Sequence, residues 1–209
     1  MSNTDKPVLE LASLRLNEGT KVTDEYLLSI LRQAKQAMEA SSGLGDFLYL
    51  QQVEDPAIIY IVGRWPSVAY HYDVFIPSAV NQHILKALAD KVSVEWLFHA
   101  DVSQNTMPFT KAPVTAIVRH FLAPGERPAF DATFARYNSP LTNATNSRME
   151  GGWRVDKEEE AKEEWVLFTG WERVEEHTAF GDSEEFKEYA KIKDHLVGAE
   201  VKHAVTLHL

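Results

Sequence analysis

Two histidines follow a tryptophan at the same distance, because His71 comes six residues after Trp65 and His177 comes six residues after Trp171. An imidazole titrates near neutral pH, so it can remove a proton from a weak acid such as a phenol and return it later. Tyr72, next to His71, is a second group able to exchange protons. We therefore predict acid–base chemistry around these turns. The alternative is that both histidines cap a helix or face solvent and that both tryptophans are wedges in the core.

A second group of candidates lies near the start of the second half of the chain. His120 could act as a further base, and the guanidinium of Arg119 could stabilise the anion that proton removal creates. Tyr137 lies near them in the pattern. Because consecutive residues on a strand face opposite sides of a sheet, at most one of Arg119 and His120 lines a given pocket. The chain has no cysteine and shows no ligand spacing among its histidines and carboxylates, so we predict no metal site.

The elements that must position these residues occur twice, 106 residues apart, so that Pro7-Val8 recurs as Pro113-Val114 and Gly19 as Gly125. Each tryptophan–histidine pair recurs at the same distance. A repeat of roughly 100 residues has the length of a small domain and exceeds the ~20–50 residues of a solenoid repeat. We therefore predict two domains, residues 1–104 and 113–209, joined by a short linker at 105–112.

Each half predicts the order strand, helix, strand, strand, helix, strand. Apolar residues at helical spacing follow Thr23, which we expect to cap the first helix. In the second half, we expect Pro140 to end the matching helix early, because proline lacks an amide hydrogen and disfavours helix at the preceding residue. An irregular loop at 142–147 and a last helix at 182–196 follow from the same analysis.

This order of elements is that of an α+β ferredoxin-like βαββαβ unit, whose antiparallel sheet carries both helices on one face. The other face stays apolar and must be covered. We therefore predict that the two tandem units pack sheet against sheet as an intramolecular, pseudo-dimeric α/β-barrel. Further pairing of two chains into a homodimer stays open.

Composition excludes several classes of function. A net charge of −10 leaves no basic surface for nucleic acid. No apolar run reaches the ~18–20 residues of a membrane span. The polar start of the chain lacks the apolar core of a signal peptide, so we expect a cytoplasmic protein. The acidic segment at 156–164 is typical of a solvated hairpin tip.

The segment from Trp165 to Lys187, with Trp171, His177 and Ser183-Glu-Glu-Phe186-Lys, resembles the antibiotic-biosynthesis-monooxygenase (ABM) family of dimeric α/β-barrels. The segment from Trp65 to Phe75 resembles the same element. Together with the repeat, the resemblance covers residues 7–208 and is similar to the fungal tandem arrangement. It implies cofactor-independent oxygenases, haem-degrading enzymes, polyketide cyclases or decarboxylases, because this fold hosts all of these activities.

This chain departs from the residue patterns of two branches of that family. The haem-degrading branch carries a ligand histidine in the last helix, where the first half offers His83 and the second half offers Tyr189 or Ala190, with Phe180 at a tryptophan position. The cyclase branch uses a His-Pro-x-His turn, and the turn around Pro77 lacks both histidines. Haem binding through His83 stays open, although we predict no cofactor.

The resemblance and the candidate residues together predict a cofactor-independent monooxygenase of secondary metabolism that acts on a small phenolic, anthrone or polyketide-like aromatic. An electron-rich phenolate reduces O2 directly, so the protein supplies deprotonation, desolvation and orientation. A cyclase, dehydratase or decarboxylase on the same barrel and a non-catalytic ligand-binding or stress-responsive protein are the alternatives. An apolar cavity with a histidine or tyrosine at its base favours an enzyme. We expect proton transfer by His71, His177, His120 and Tyr72, and substrate contacts from Trp65, Trp171, Arg119, Tyr137, His83 and Phe180.

Overall fold

The computed structural model describes residues 6–102, 107–156 and 162–209. The chain forms two compact units, Met1–Asp101 with Thr206–Leu209, and Val102–Val205. Residues 105 and 106 of the predicted linker lie outside the described residues, and its remainder includes a short 3-10 helix, Pro108–Lys111. Residues 157–161 of the acidic segment, for which a hairpin tip was predicted, also lie outside them.

The first unit contains one antiparallel sheet with the strand order β2-β3-β1-β4. Its elements are β1 (Val8–Leu16), α1 (Glu25–Ser42), β2 (Leu48–Gln52), β3 (Ile58–Trp65), a π-helix (Tyr70–Phe75), α2 (Ala79–Leu88) and β4 (Val92–Asp101).

Helix α1 forms where its apolar residues repeat at helical spacing. Leu27, Leu31 and Ala34 are among the residues that it buries. The helix is capped by Asp24 and not by Thr23 as expected, because the Asp24 carboxylate accepts hydrogen bonds from two backbone N–H groups of the first turn. It ends at Gly43, whose φ of 66° is the left-handed conformation that glycine adopts without steric cost.

The second unit repeats the strand order as β6-β7-β5-β8. Its elements are β5 (Val114–Leu122), α3 (Arg127–Tyr137), α4 (Ser139–Ala144), β6 (Met149–Arg154), β7 (Glu163–Trp171), α5 (Val174–Gly181), α6 (Glu184–Tyr189), a 3-10 helix (Ala190–His195) and β8 (Leu196–Thr206).

Two predictions for the second unit are wrong in detail. Residues 142–147 are not simply an irregular loop, because Pro140 lies in the first turn of α4, where its missing amide hydrogen costs nothing. The predicted helix at 182–196 is α6 followed by a 3-10 helix. Ser183 caps α6 by accepting a hydrogen bond from the Phe186 amide.

The strand registers of the two units match residue for residue at first. Val8 pairs with Trp65 and Val114 with Trp171, so both partners differ by 106. The last strands differ, because Glu10 pairs with His99 whereas Ala116, the counterpart of Glu10, pairs with His203, only 104 positions later. The α+β class and the ferredoxin-like character of the units are confirmed, whereas the domain boundaries and the barrel arrangement stay predictions.

Candidate active site

The first unit buries a carboxylate on the central strand of its sheet. Glu10 on β1 lies opposite Gly63 on β3 and His99 on β4. Only 2% of Glu10 is exposed. Its Oε2 accepts a hydrogen bond of 2.5 Å from the indole Nε1 of Trp65. A buried carboxylate without a cation in hydrogen-bond contact is costly, so its position is a strong indication of function.

An imidazole pair lies beside this carboxylate. His71, which the π-helix supplies, places its Nδ1 2.8 Å from Nε2 of His99. Its Nε2 lies 3.9 Å from Oε2 of Glu10. The Trp65 ring stacks on His71 with a centroid distance of 4.3 Å and an interplanar angle of 8°. Single π-helical turns are frequent at functional sites because they re-aim one side chain.

The hydroxyl of Tyr49 on β2 completes the polar part of the site. No described residue forms a hydrogen bond with this buried hydroxyl. Burial raises the pKa of Tyr49 far above its ordinary value, and the charges of Glu10 and Glu39 act in the same direction. The phenol is therefore protonated at neutral pH and able to donate a hydrogen bond to a ligand oxygen.

A cavity of about 320 Å³ adjoins these groups, and its wall is apolar except for Glu10, Tyr49, His71 and Asn81. Glu10, Tyr49 and His71 contribute to its wall, together with aliphatic side chains of β1, α1, α2 and β4. Burial raises the pKa of Glu10 from 4.5 to about 7, against the opposing effects of the Trp65 hydrogen bond and of His99. A group with this pKa in an apolar cavity is suited to accept a proton at neutral pH.

The second unit contains a related arrangement without the carboxylate. Nδ1 of His177 lies 2.9 Å from Nε2 of His203, and the Trp171 ring stacks on His177 at 4.7 Å. Ala116 stands at the place of Glu10 and has no side-chain acceptor. The Trp171 indole donates instead to the hydroxyl of Thr169, which stands at the place of Gly63. A cavity of about 190 Å³ lies beside these groups.

The structure brings most of the predicted site residues together, in two groups. His71, Trp65 and Tyr72 lie together in the first unit, with the Tyr72 ring 41% exposed and stacked on His71. In the second unit, three of the predicted residues, His120, His177 and Phe180, are in the cavity wall. The Trp171 ring stacks on His177. The roles predicted for these residues stay predictions.

Three predicted substrate contacts lie away from both cavities. Arg119 forms ion pairs with Glu164 and Glu200 on the face opposite His120. The ring of Tyr137 lies under the ammonium of Lys191. His83 is exposed on α2 and is not part of the cavity wall. The position of His83 therefore does not fit a haem ligand in the first-unit cavity.

Glu10, Tyr49, His99 and His203 were not among the predicted site residues. The signal for Glu10 was a lone carboxylate in an apolar strand. His99 and His203 occupy equivalent positions on the last strand of each half, but the constant spacing of 106 residues concealed this equivalence.

Among residues 6–102, 107–156 and 162–209, no group of three or more histidine, cysteine or carboxylate side chains is placed to hold a metal ion. Within the same ranges, no helix combines the length and the apolar character needed to cross a membrane.

Comparison with known proteins shows similarity in structure but not in sequence. No protein-family model and no curated protein matches the sequence. A proposed monooxygenase from Fusobacterium nucleatum aligns over 100% of this chain and 94% of its own, with a TM-score of 0.64 and 12% identity. An anthrone oxidase-like protein aligns over 96% and 92%, with a TM-score of 0.61 and 10% identity. A proposed chlorite dismutase aligns over 97% and 95%, with a TM-score of 0.61 and 12% identity.

At such low identities these similarities show a shared fold. This fold is shared by a proposed monooxygenase and an anthrone oxidase-like protein, and the resemblance to the ABM family stays a prediction. The fungal tandem type stays a prediction.

Proposed function

We propose that the first-unit cavity catalyses the cofactor-independent oxygenation of a small phenolic or anthrone-like aromatic. The observation that carries this proposal is the carboxylate of Glu10, buried at the wall of an apolar cavity beside the His71–His99 pair. This meets the criterion that favours an enzyme over a passive binder, namely an apolar cavity with ionisable groups at its base.

Glu10 is the base in the proposed reaction. Its carboxylate removes a proton from the acidic CH2 of an anthrone, or from a phenolic hydroxyl, and the Tyr49 hydroxyl donates a hydrogen bond to the substrate oxygen that gains negative charge. Nε2 of His71 lies 3.9 Å from Oε2 of Glu10. The charge interaction with His99 lowers the pKa of Glu10 and so favours its ionised form. The apolar wall excludes water and orients the rings.

O2 is the co-reactant and the substrate supplies all electrons. For an anthrone, the carbanion transfers one electron to O2, and the radical pair combines to a peroxide anion that takes the proton from Glu10. Glu10 then removes the second C–H proton, the O–O bond breaks, and the departing hydroxide takes this proton to form water. Anthrone and O2 thus give anthraquinone and water, and each product receives one of the two oxygen atoms of O2.

Oxygen uptake with an anthrone tests the proposal in protein that shows no Soret absorbance. We expect uptake by the wild type, and we expect Glu10→Gln to lower kcat/KM by about 10²- to 10⁴-fold. Tyr49→Phe is expected to lower kcat/KM by roughly 10²-fold, since it removes one donor to the developing anion. Glu18→Gln and Tyr26→Phe change an exposed glutamate and an exposed tyrosine, and serve as matched controls.

The outcomes separate the proposal from its alternatives. Equal oxygen uptake by the wild type and Glu10→Gln would overturn the role of Glu10. Loss of substrate absorbance without oxygen uptake, abolished by Glu10→Gln, would instead show a proton-transfer reaction such as cyclisation or decarboxylation. Binding of the anthrone without turnover would show a non-catalytic binding protein.

A further inference from the structure

The cavity of the second unit differs in chemistry from that of the first. Its volume is about 190 Å³, and its wall is apolar except for a few polar side chains. None of the described residues that line it is an aspartate or a glutamate. It therefore has no counterpart of Glu10. The one cation in its wall, Lys193, is exposed and lies over the Phe186 ring at 4.6 Å, so its charge is at the mouth.

His120 is the best-defined polar group in this cavity. Its Nδ1 lies 3.3 Å from the backbone carbonyl oxygen of Trp165. A carbonyl oxygen only accepts hydrogen bonds, so Nδ1 carries the hydrogen. Burial lowers the pKa of His120 from 6.5 to about 4, so the ring is neutral at neutral pH and Nε2 carries a lone pair. His120 thus presents a fixed acceptor at the cavity wall.

The second imidazole of the wall is also neutral. Burial, with a smaller effect of His203, lowers the pKa of His177 to about 4. His177 is held by two contacts, the 2.9 Å approach of its Nδ1 to His203 and the stacked Trp171 ring. The uncharged acceptor of His120 in an apolar wall favours an uncharged ligand that carries a hydroxyl donor, since leaving this acceptor without a donor costs free energy.

We propose that the second-unit cavity is a separate binding site for a small uncharged hydroxyaromatic, a single-ring phenol whose hydroxyl donates to Nε2 of His120. The size follows from the cavity, which is smaller than the ~300–1,000 Å³ typical of sites for drug-sized ligands. The site binds and does not catalyse, because its imidazoles lack an ionised partner and neither is a base suited to neutral pH. This proposal is independent of the reaction proposed for the first unit.

Nuclear magnetic resonance of the indole N–H groups in full-length protein tests the proposal for both cavities at once. Trp171 and Trp165 report on the second unit, since Trp171 donates to Thr169 in the cavity wall and the Trp165 ring lies 5.2 Å from His120. Trp65 reports on the first unit. The probes are p-cresol, toluene, which lacks the hydroxyl, and 4-methylbenzoate, which is an anion at neutral pH.

We expect p-cresol to shift the Trp171 and Trp165 signals and to bind about tenfold more tightly there than toluene. His120→Phe keeps an aromatic ring next to Trp165 and removes the acceptor, so it should abolish the preference for p-cresol over toluene. Gly181→Leu enlarges a residue of the cavity wall, so it should weaken the signal shifts that p-cresol and toluene cause.

Each contrary result overturns the proposal. These results are a p-cresol shift confined to Trp65, tighter binding of 4-methylbenzoate than of p-cresol at Trp171, and a preference for p-cresol that survives His120→Phe. A Trp171 signal at the wild-type position in the ligand-free variant shows that its second unit is folded. Gly181→Leu decides the matter if His120→Phe does not fold, since binding that persists unweakened in Gly181→Leu places the ligand elsewhere.

Discussion

Replacing Glu10 by Gln should change how the stability of the protein depends on pH. Burial raises the pKa of Glu10 from 4.5 to about 7 in the folded protein. Between these values the unfolded chain loses its proton while the folded protein keeps it. The folded state therefore binds more protons there, and its stability falls as pH rises. Below pH 4.5 both states are protonated and Glu10 contributes no such loss.

The expected size of this loss follows from the two pKa values. The interval from 4.5 to about 7 corresponds to about 3 kcal/mol of unfolding free energy, since each pH unit is worth about 1.36 kcal/mol. Glutamine cannot ionise, and its side-chain oxygen still accepts a hydrogen bond from Trp65. We therefore expect the stability of Glu10→Gln relative to the wild type to rise by about 3 kcal/mol between pH 4.5 and pH 8.5.

Urea unfolding of both proteins at the two pH values measures this difference. Glu18→Gln is the matched control, because Glu18 is exposed and its replacement should change stability little at either pH. A stability difference between variant and wild type that is equal at pH 4.5 and pH 8.5 would refute the argument from burial. A difference of opposite sign would mean that the His71–His99 pair holds Glu10 ionised.

Three further predictions follow from described contacts. The kcat/KM for an anthrone should rise with pH through about 7, because only ionised Glu10 accepts the proton, and a profile without this step would contradict its role as base. Between pH 6.5 and pH 4 the unfolded chain protonates His120 and the folded protein does not, so the wild type loses about 3 kcal/mol of unfolding free energy as pH falls. His120→Phe should remove this loss, which urea titrations at the two pH values measure. Gly63→Ala should lower the free energy of unfolding by about 1–3 kcal/mol, because a Cβ would lie 2.0 Å from the Phe47 ring. Gly181→Ala is the control, since a Cβ there has no atom within 4 Å. Equal thermal midpoints for the two variants would contradict this packing argument.

The sequence predicts the elements well where one local pattern decides them. The apolar stripe of α1 and the alternating strands are of this kind, and so is the placing of His71 and His177 after their tryptophans. Local patterns were less reliable at caps and breaks. Thr23 and Asp24 are both good capping residues, and the geometry of the turn selects Asp24. Pro140 ends α3 and also begins α4, so a single breaker has two consequences.

The candidate site could be predicted only in part, because it depends on pairing between strands. The last strands of the two units are offset by 104 residues and the earlier strands by 106, so a constant spacing aligns His99 with Val205 and hides its match to His203. The signal of Glu10, a lone carboxylate in an apolar strand, was weak, since an acidic residue in a strand is ordinarily on a solvated face. Its burial depends on helices and strands distant in sequence.

The two ways of satisfying a tryptophan indole have a consequence for how this chain can evolve. The first unit uses a carboxylate on β1 opposite a glycine, and the second uses a threonine on β7 opposite an alanine. Glu10→Ala alone would leave the Trp65 N–H buried without its acceptor, which costs about 1–3 kcal/mol. Gly63→Thr alone would drive a side chain into the Phe47 ring. These positions are therefore epistatic, and neither single step from the first arrangement toward the second is neutral.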